Sequence, residues 1–141
     1  MTTPQTGSVA LNGTTFFYEA AGAGHPLVLV HAGICDSRMW DEQFSVFAQQ
    51  YQVVRYDLRG YEQTPAVAGS FAHHHDLYAL LTYLGIARTH LLGCSMGGSA
   101  CLDFALAHPT MVDKLILVGS SPSGYRSQRP YRRNCRLRMK P

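Results

Sequence analysis

Thr89-His-Leu-Leu92 followed by Gly93-Cys94-Ser95-Met96-Gly97 is the stretch whose reading decides the fold. Its first four residues read as a buried strand. Residues 96–107 read as an Ala- and Leu-containing helix closed by His108-Pro109. Gly-x-Ser-x-Gly between such a strand and helix is the pattern of a nucleophile elbow, a strained turn that lifts a serine hydroxyl out of a sheet. The flanking glycines suit a tight turn, and the positive end of the following helix favours a developing oxyanion. A serine hydroxyl is a poor nucleophile without a histidine base and a carboxylate to orient it. Of the residues after Ser95, only His108 is a histidine.

Outward from the elbow, strand and helix signals alternate. Ser8–Leu11 and Thr14–Tyr18, joined by Asn12-Gly13, read as an antiparallel hairpin with a type I′ turn. Pro26–Val30 (PLVLV) is a short apolar run suited to a strand buried on both faces. Trp40, Phe44, Phe47 and Ala48 share one helical stripe, which predicts a helix over 38–49. Gln52–Tyr56 is the next strand. Leu77, Leu80, Leu81 and Leu84 form another helical face that stops near Gly85. Lys114–Val118 reads as a further buried strand, and Gly119–Gly124 as loop. The alternation argues a mostly parallel sheet with helices on both faces, entered through the hairpin.

Composition bounds the function. The chain has 141 residues, 46% of them hydrophobic, enough for one domain with a sizeable core. The first residues carry neither a basic cluster nor an apolar run, so no secretory signal is expected, and no stretch is long enough to span a bilayer. Cys35, Cys94, Cys101 and Cys135 lack CxxC spacing and read as reduced thiols, which fits a cytoplasmic protein. Residues 1–125 hold five Lys/Arg and nine Asp/Glu, whereas 126–141 hold seven Lys/Arg and no acid. From Tyr125 the text follows neither helical nor strand period. It is expected to be a disordered basic tail (125–141) after a folded unit (1–124).

Three further residue sets bear on chemistry. His31-Ala32-Gly33-Ile34 follows the third strand, where a glycine leaves an N–H free to face a substrate oxygen together with that of Met96. His31 itself is expected to brace the loop rather than move protons. Asp57-Leu58-Arg59 at a strand end can fix a loop by charge-assisted hydrogen bonds. His73-His74-His75 starts a helix, and consecutive residues do not share a helix face, so no zinc site is expected there. Asp76 suits the dipole at the same helix start, and His108 suits a helix-end polar cap.

Leu29–Gly33 (LVHAG), Tyr56–Gly60 (YDLRG) and Gly93–Gly98 (GCSMGG), in this order and spacing, resemble the α/β-hydrolase superfamily in its small esterase, lipase and haloperoxidase-like branch. The resemblance covers about residues 7–124. It implies an α/β fold corresponding to the N-terminal part of that family's sheet. About six strands are expected, with the last strands and the lid missing. It implies Ser95 as nucleophile, with the backbone N–H groups of Met96 and Gly33 as oxyanion hole. A small ester-like substrate is implied, with acyl-transfer chemistry that needs no metal and no organic cofactor. Serine rather than aspartate at the elbow argues against the dehalogenase and epoxide-hydrolase branches.

Two departures are local: Ala32 stands where the family usually has glycine, and Glu62 where it usually has a second one. Glutamate resists the φ > 0 conformations that glycine serves. The largest departure is that no position matches the triad acid or the triad histidine, so neither is assigned. The expectation is a serine hydrolase by ancestry whose isolated chain is inactive, either as a half-domain or as a frameshift product. A missing half-sheet would leave the strand at 114–118 as an apolar edge inviting self-association. A non-catalytic binding protein using the basic tail is the other alternative. The abrupt change at Gly124 favours a frameshifted or unselected tail over a nucleic-acid partner.

Overall fold

Asn12 and Gly13 both take positive φ (48° and 82°), and Leu11 stands opposite Thr14. This is the two-residue turn that Asn-Gly favours, because its twist matches that of the strands it joins. In the computed structural model, which describes residues 3–125, this hairpin opens a six-stranded sheet. The strands are β1 (Gln5–Leu11), β2 (Thr14–Ala21), β3 (Pro26–Val30), β4 (Gln52–Tyr56), β5 (Thr89–Cys94) and β6 (Val112–Val118). They lie in the spatial order β1-β2-β4-β3-β5-β6. β2 pairs antiparallel with both β1 and β4, and β4, β3, β5 and β6 pair in parallel. The basic stretch 126–141, expected to be disordered, lies outside the described residues.

Helices α1 (Asp41–Phe47), α2 (His73–Tyr83) and α3 (Met96–Ala107) cover the two faces. Alternation along the strands decides which residue meets which helix. Leu27, Leu29, Val53 and Leu92 pack with Trp40 and Phe44 of the α1 side. Val28, Val30, Val54, Tyr56 and Leu91 pack with Leu77, Leu80 and Leu81 of α2 and Cys101 and Phe104 of α3. The expected doubly covered, mostly parallel sheet is thus observed, together with its antiparallel hairpin. Among the described residues, no helix is long and apolar enough to cross a membrane.

Two local expectations need correction. The helix expected over 38–49 is a 3₁₀ turn, Ser37–Trp40, followed by the shorter α1. Asp36 Oδ1 accepts the Arg38 N–H at 2.9 Å, which caps and tightens the first turn, although the Trp40–Phe44 stripe still faces the sheet. The strand expected as buried at 114–118 is instead exposed: Ile116 and Val118 are 47% and 49% accessible. β6 lies at the sheet edge, and among the described residues no strand pairs with its outer side. Only its inner face reaches the core, through Val112 and Leu115.

Asp57 and Arg59, read together in the sequence, separate in the structure. Arg59 turns to Asp76 in the first turn of α2, donating from Nε and Nη2 to the two carboxylate oxygens, both at 2.9 Å. Nη2 also donates to the Asn12 carbonyl at 2.8 Å, and the Asn12 amide donates to Asp76 Oδ1 at 3.0 Å. One buried ion pair therefore joins the hairpin turn, the segment after β4 and α2. Asp76 does stand at the helix start as expected, but its partner is a side chain as well as the helix dipole. Replacing Asp76 by Asn leaves a buried guanidinium without its counter-charge. A loss of roughly 3–5 kcal/mol in urea-unfolding stability is expected, and a much smaller loss when Arg59→Met and Asp76→Leu are combined.

Candidate active site

β5 delivers the chain to Ser95, whose φ of 50° and ψ of −117° lie outside the regions open to an unstrained L-residue. Its N–H donates to the Val118 carbonyl at 2.8 Å, and its carbonyl accepts from the Ser99 N–H at 3.0 Å, closing the first turn of α3. Among the described residues, every hydrogen bond of Ser95 is made by its backbone, and the residue is solvent-exposed. The glycines around it are fixed by contact. A Cβ at Gly97 would lie 2.3 Å from the carbonyl oxygens of Val30 and His31, and one at Gly93 would lie 2.6 Å from the backbone of Gly97 and Gly98. The helix start is thus pressed against the strand ends with no room for a side chain.

The loop after β3 lies alongside. The Cβ position of Gly33 is 3.2 Å from Met96 Cε and 3.4 Å from Met96 Cβ. Gly33 and Met96, both expected as backbone donors, are therefore neighbours beside Ser95 at the carboxyl ends of β3 and β5. Tyr61 has no motif to mark it, yet its hydroxyl lies 3.9 Å from Met96 Sδ and its ring meets the edge of His31 at 5.1 Å. It walls one side of the loop, and only the three-dimensional packing reveals it.

His31 is fully buried. Its Nδ1 donates to the Ala32 carbonyl at 2.8 Å, while Nε2 accepts the Leu58 N–H at 2.9 Å. Both ring nitrogens are spent on backbone, so the ring braces two loops in its neutral form. Asp57 performs the parallel task with charge. Its two oxygens accept the N–H groups of Ser37 at 2.9 Å and Gln63 at 3.1 Å, linking the segments after β3 and β4. Glu62, between them, has φ of 37°, the left-handed conformation expected to be awkward for glutamate, and its carboxylate lies 3.4 Å from Arg38.

The remaining histidines lie elsewhere. His108 caps the far end of α3, about 18 Å along the helix from Ser95, with its ring stacked on Tyr78 at 4.4 Å. His73, His74 and His75 begin α2, as expected. Burial pushes the His73 ring below its ordinary value. His25 and His90 sit at the amino ends of β3 and β5, the opposite end of the sheet from Ser95.

Burial lowers His31 from its ordinary value of 6.5, against the opposing pull of the Ala32 carbonyl and of Asp57. A protonated Nε2 would also face the Leu58 N–H, donor against donor. The unfolded chain takes up this proton near 6.5 and the folded chain only at lower pH. The stability is therefore complete above that value and drains as pH falls through the window below it. Urea unfolding should show stability falling from about pH 7 toward pH 5, with a shallower slope in His31→Gln. His73 and His90, lowered by burial in the same direction, retain the rest of the slope.

Comparison with known proteins follows the same outline. A family profile described as alpha/beta hydrolase fold matches residues 25–134. A putative carbamate hydrolase of Caulobacter vibrioides is 34% identical over 128 residues, covering 84% of this chain and 45% of that protein. A soluble epoxide hydrolase of a Corynebacterium species is 29% identical over 115 residues, covering 79% of this chain and 40% of the relative. Among solved structures, a hydrolase from Pseudomonas aeruginosa superposes with a TM-score of 0.77 at 29% identity, covering 82% of this chain and 46% of that one. The chain spans less than half the length of each of these relatives. With the profile matched over residues 25–134, most of its length, the chain belongs to the alpha/beta hydrolase fold family.

Proposed function

We propose that Ser95 is the nucleophile of a serine hydrolase acting on a small ester or related acyl compound, and that the N–H groups of Met96 and Gly33 form its oxyanion hole. The observation that carries this reading is the backbone of Ser95. An exposed serine held in a conformation costing about 1–3 kcal/mol, at the positive end of a helix, is strain placed where chemistry would use it. In the reaction, Ser95 Oγ would attack the acyl carbon while the carbonyl oxygen gathers negative charge beside the two donors. Serine at the elbow sets the chain apart from the aspartate-bearing epoxide-hydrolase and dehalogenase branches.

The same reading has the chain by itself nearly silent. Attack needs a base for the Oγ proton, and His31, the buried histidine of the adjoining loop, has both nitrogens engaged. The oxyanion hole alone supports only weak residual catalysis. Slow labelling of wild type by a fluorophosphonate, and none of Ser95→Ala, is expected. Added imidazole should accelerate nitrophenyl-ester hydrolysis by wild type more than by Ser95→Ala. Equal labelling of both proteins would remove Ser95 from the mechanism, and fast unaided turnover would show that the chain holds its own base.

A second reading, self-association through β6, draws on the accessible Ile116, Leu117 and Val118 along an edge that no strand pairs with among the described residues. Sedimentation velocity should find concentration-dependent assembly in wild type and a shift toward monomer in Ile116→Lys. A monomeric wild type would dismiss it.

A further inference from the structure

The amino end of the sheet, remote from Ser95, gathers three metal-ligating side chains. His25 precedes β3, His90 is the second residue of β5 and Asp113 the second of β6. One ligand atom from each lies within 4.8 Å of the other two. His25 Nε2 is 3.0 Å from Asp113 Oδ2, and the two imidazole centroids are 4.3 Å apart. Sequence separation hides the group, because β5, β6 and the residue just before β3, neighbours in space, supply one side chain each.

The backbone places these side chains deliberately. Thr89 pairs with Val112 and His90 with Lys114, so Asp113 is the extra residue of a β-bulge, a feature that re-aims a side chain. The Gln52 N–H donates to the His25 carbonyl at 3.2 Å, and the Thr89 hydroxyl donates to the Pro26 carbonyl at 3.1 Å. Arg88 holds the other Asp113 oxygen, Oδ1, which leaves Oδ2 turned to the histidines. His90 Nδ1 is shielded from solvent and has no hydrogen-bond partner among the described residues, an unspent polar atom beside the cluster.

We propose that His25, His90 and Asp113 form a binding site for a zinc-like divalent transition-metal ion. Two imidazole nitrogens and a carboxylate oxygen are donors such ions take at about 2.0–2.2 Å, which spaces tetrahedral ligands about 3.4 Å apart. Binding would draw the three ligand atoms, now within 4.8 Å of one another, to that spacing, and His25 is exposed at the surface. Arg88 is the positioning residue for the carboxylate, as ligands are commonly held by an outer hydrogen bond. Arg88 and Lys114 are the opposing cations nearby, and the single carboxylate sets a moderate affinity. The bound ion would cross-link β3, β5 and the edge strand β6. The site is independent of Ser95, because β5 separates His90 from the elbow by about 16 Å.

The test titrates Zn²⁺ into the full chain against a chromogenic chelator and repeats it with Co²⁺ for its visible spectrum. One ion per chain is expected, with binding weakened on the order of tenfold or more in His25→Ala and in Asp113→Asn. A variant with His73, His74 and His75 all changed to Ala should bind as wild type does. Zn²⁺ should also slow hydrogen exchange of the β6 amides in wild type but not in His25→Ala. Both single variants alter exposed positions, and circular dichroism checks that they fold. Absence of binding, equal binding by wild type and His25→Ala, dependence on the His73–His75 run, or a thiolate charge-transfer band with Co²⁺ would each overturn the assignment.

Discussion

The start of α3 is pressed directly onto the ends of β3 and β5, backbone against backbone, and most of the molecule follows from that contact. Gly97 sits so close to the Val30 and His31 carbonyls, and Gly93 to Gly97 and Gly98, that no side chain fits at either position. The close approach forces the chain to turn within one residue, and Ser95 absorbs the turn in its φ and ψ. It also fixes the depth at which Cys101 and Phe104 enter the core shared with α2. Met96 then emerges against Gly33, so the loop after β3 takes its place from the helix. A close contact of main chains is less forgiving than a hydrophobic one, because a side chain can change rotamer and a carbonyl cannot move without its strand.

Around that contact, buried polar groups determine where the loops lie. His31 and Asp57 each satisfy two backbone groups on different segments, and on the hairpin side Arg59, paired with Asp76, satisfies the Asn12 carbonyl. Buried N–H groups must find partners, and these side chains supply them where no strand can. The consequence for chemistry is a trade. A histidine that accepts one main-chain N–H and donates to a main-chain oxygen has nothing left to offer a substrate. The same ring that shapes the loop beside Ser95 is thereby excluded from taking its proton.

The parts legible in the sequence are those whose cause is local. Asn12-Gly13 specifies its turn by φ preference, Pro26–Val30 is a strand of uninterrupted apolar residues, and Gly93–Gly97 marks a tight turn by its flanking glycines. Gly33 beside Met96 followed from the order of motifs, and the structure brings the two together. What was hidden depends on neighbours distant in sequence. Arg59 chose Asp76 over Asp57 because Asp57 was already engaged by Ser37 and Gln63. Lys114–Val118 has the composition of a buried strand but lies at an edge, and composition does not reveal position in a sheet. Tyr61 and the His25–His90–Asp113 group have no spacing signature, since register and a bulge, not sequence distance, set their proximity.

Strain at Ser95 also separates two properties that usually travel together. A residue in a sparsely populated conformation persists only if its surroundings over-determine it. Here those surroundings are the α3 contact, the Ser95–Val118 hydrogen bond and the glycines, all of which lie within the described residues. Among the described residues, the cost of about 1–3 kcal/mol is met by packing and not by any partner of the hydroxyl. The elbow can therefore keep its shape whether or not a base stands opposite it. Geometry of Ser95 is a property of this sheet and helix, whereas reactivity is a property of the groups that face them. A shaped serine is evidence of the first, and only proton transfer from Oγ can demonstrate the second.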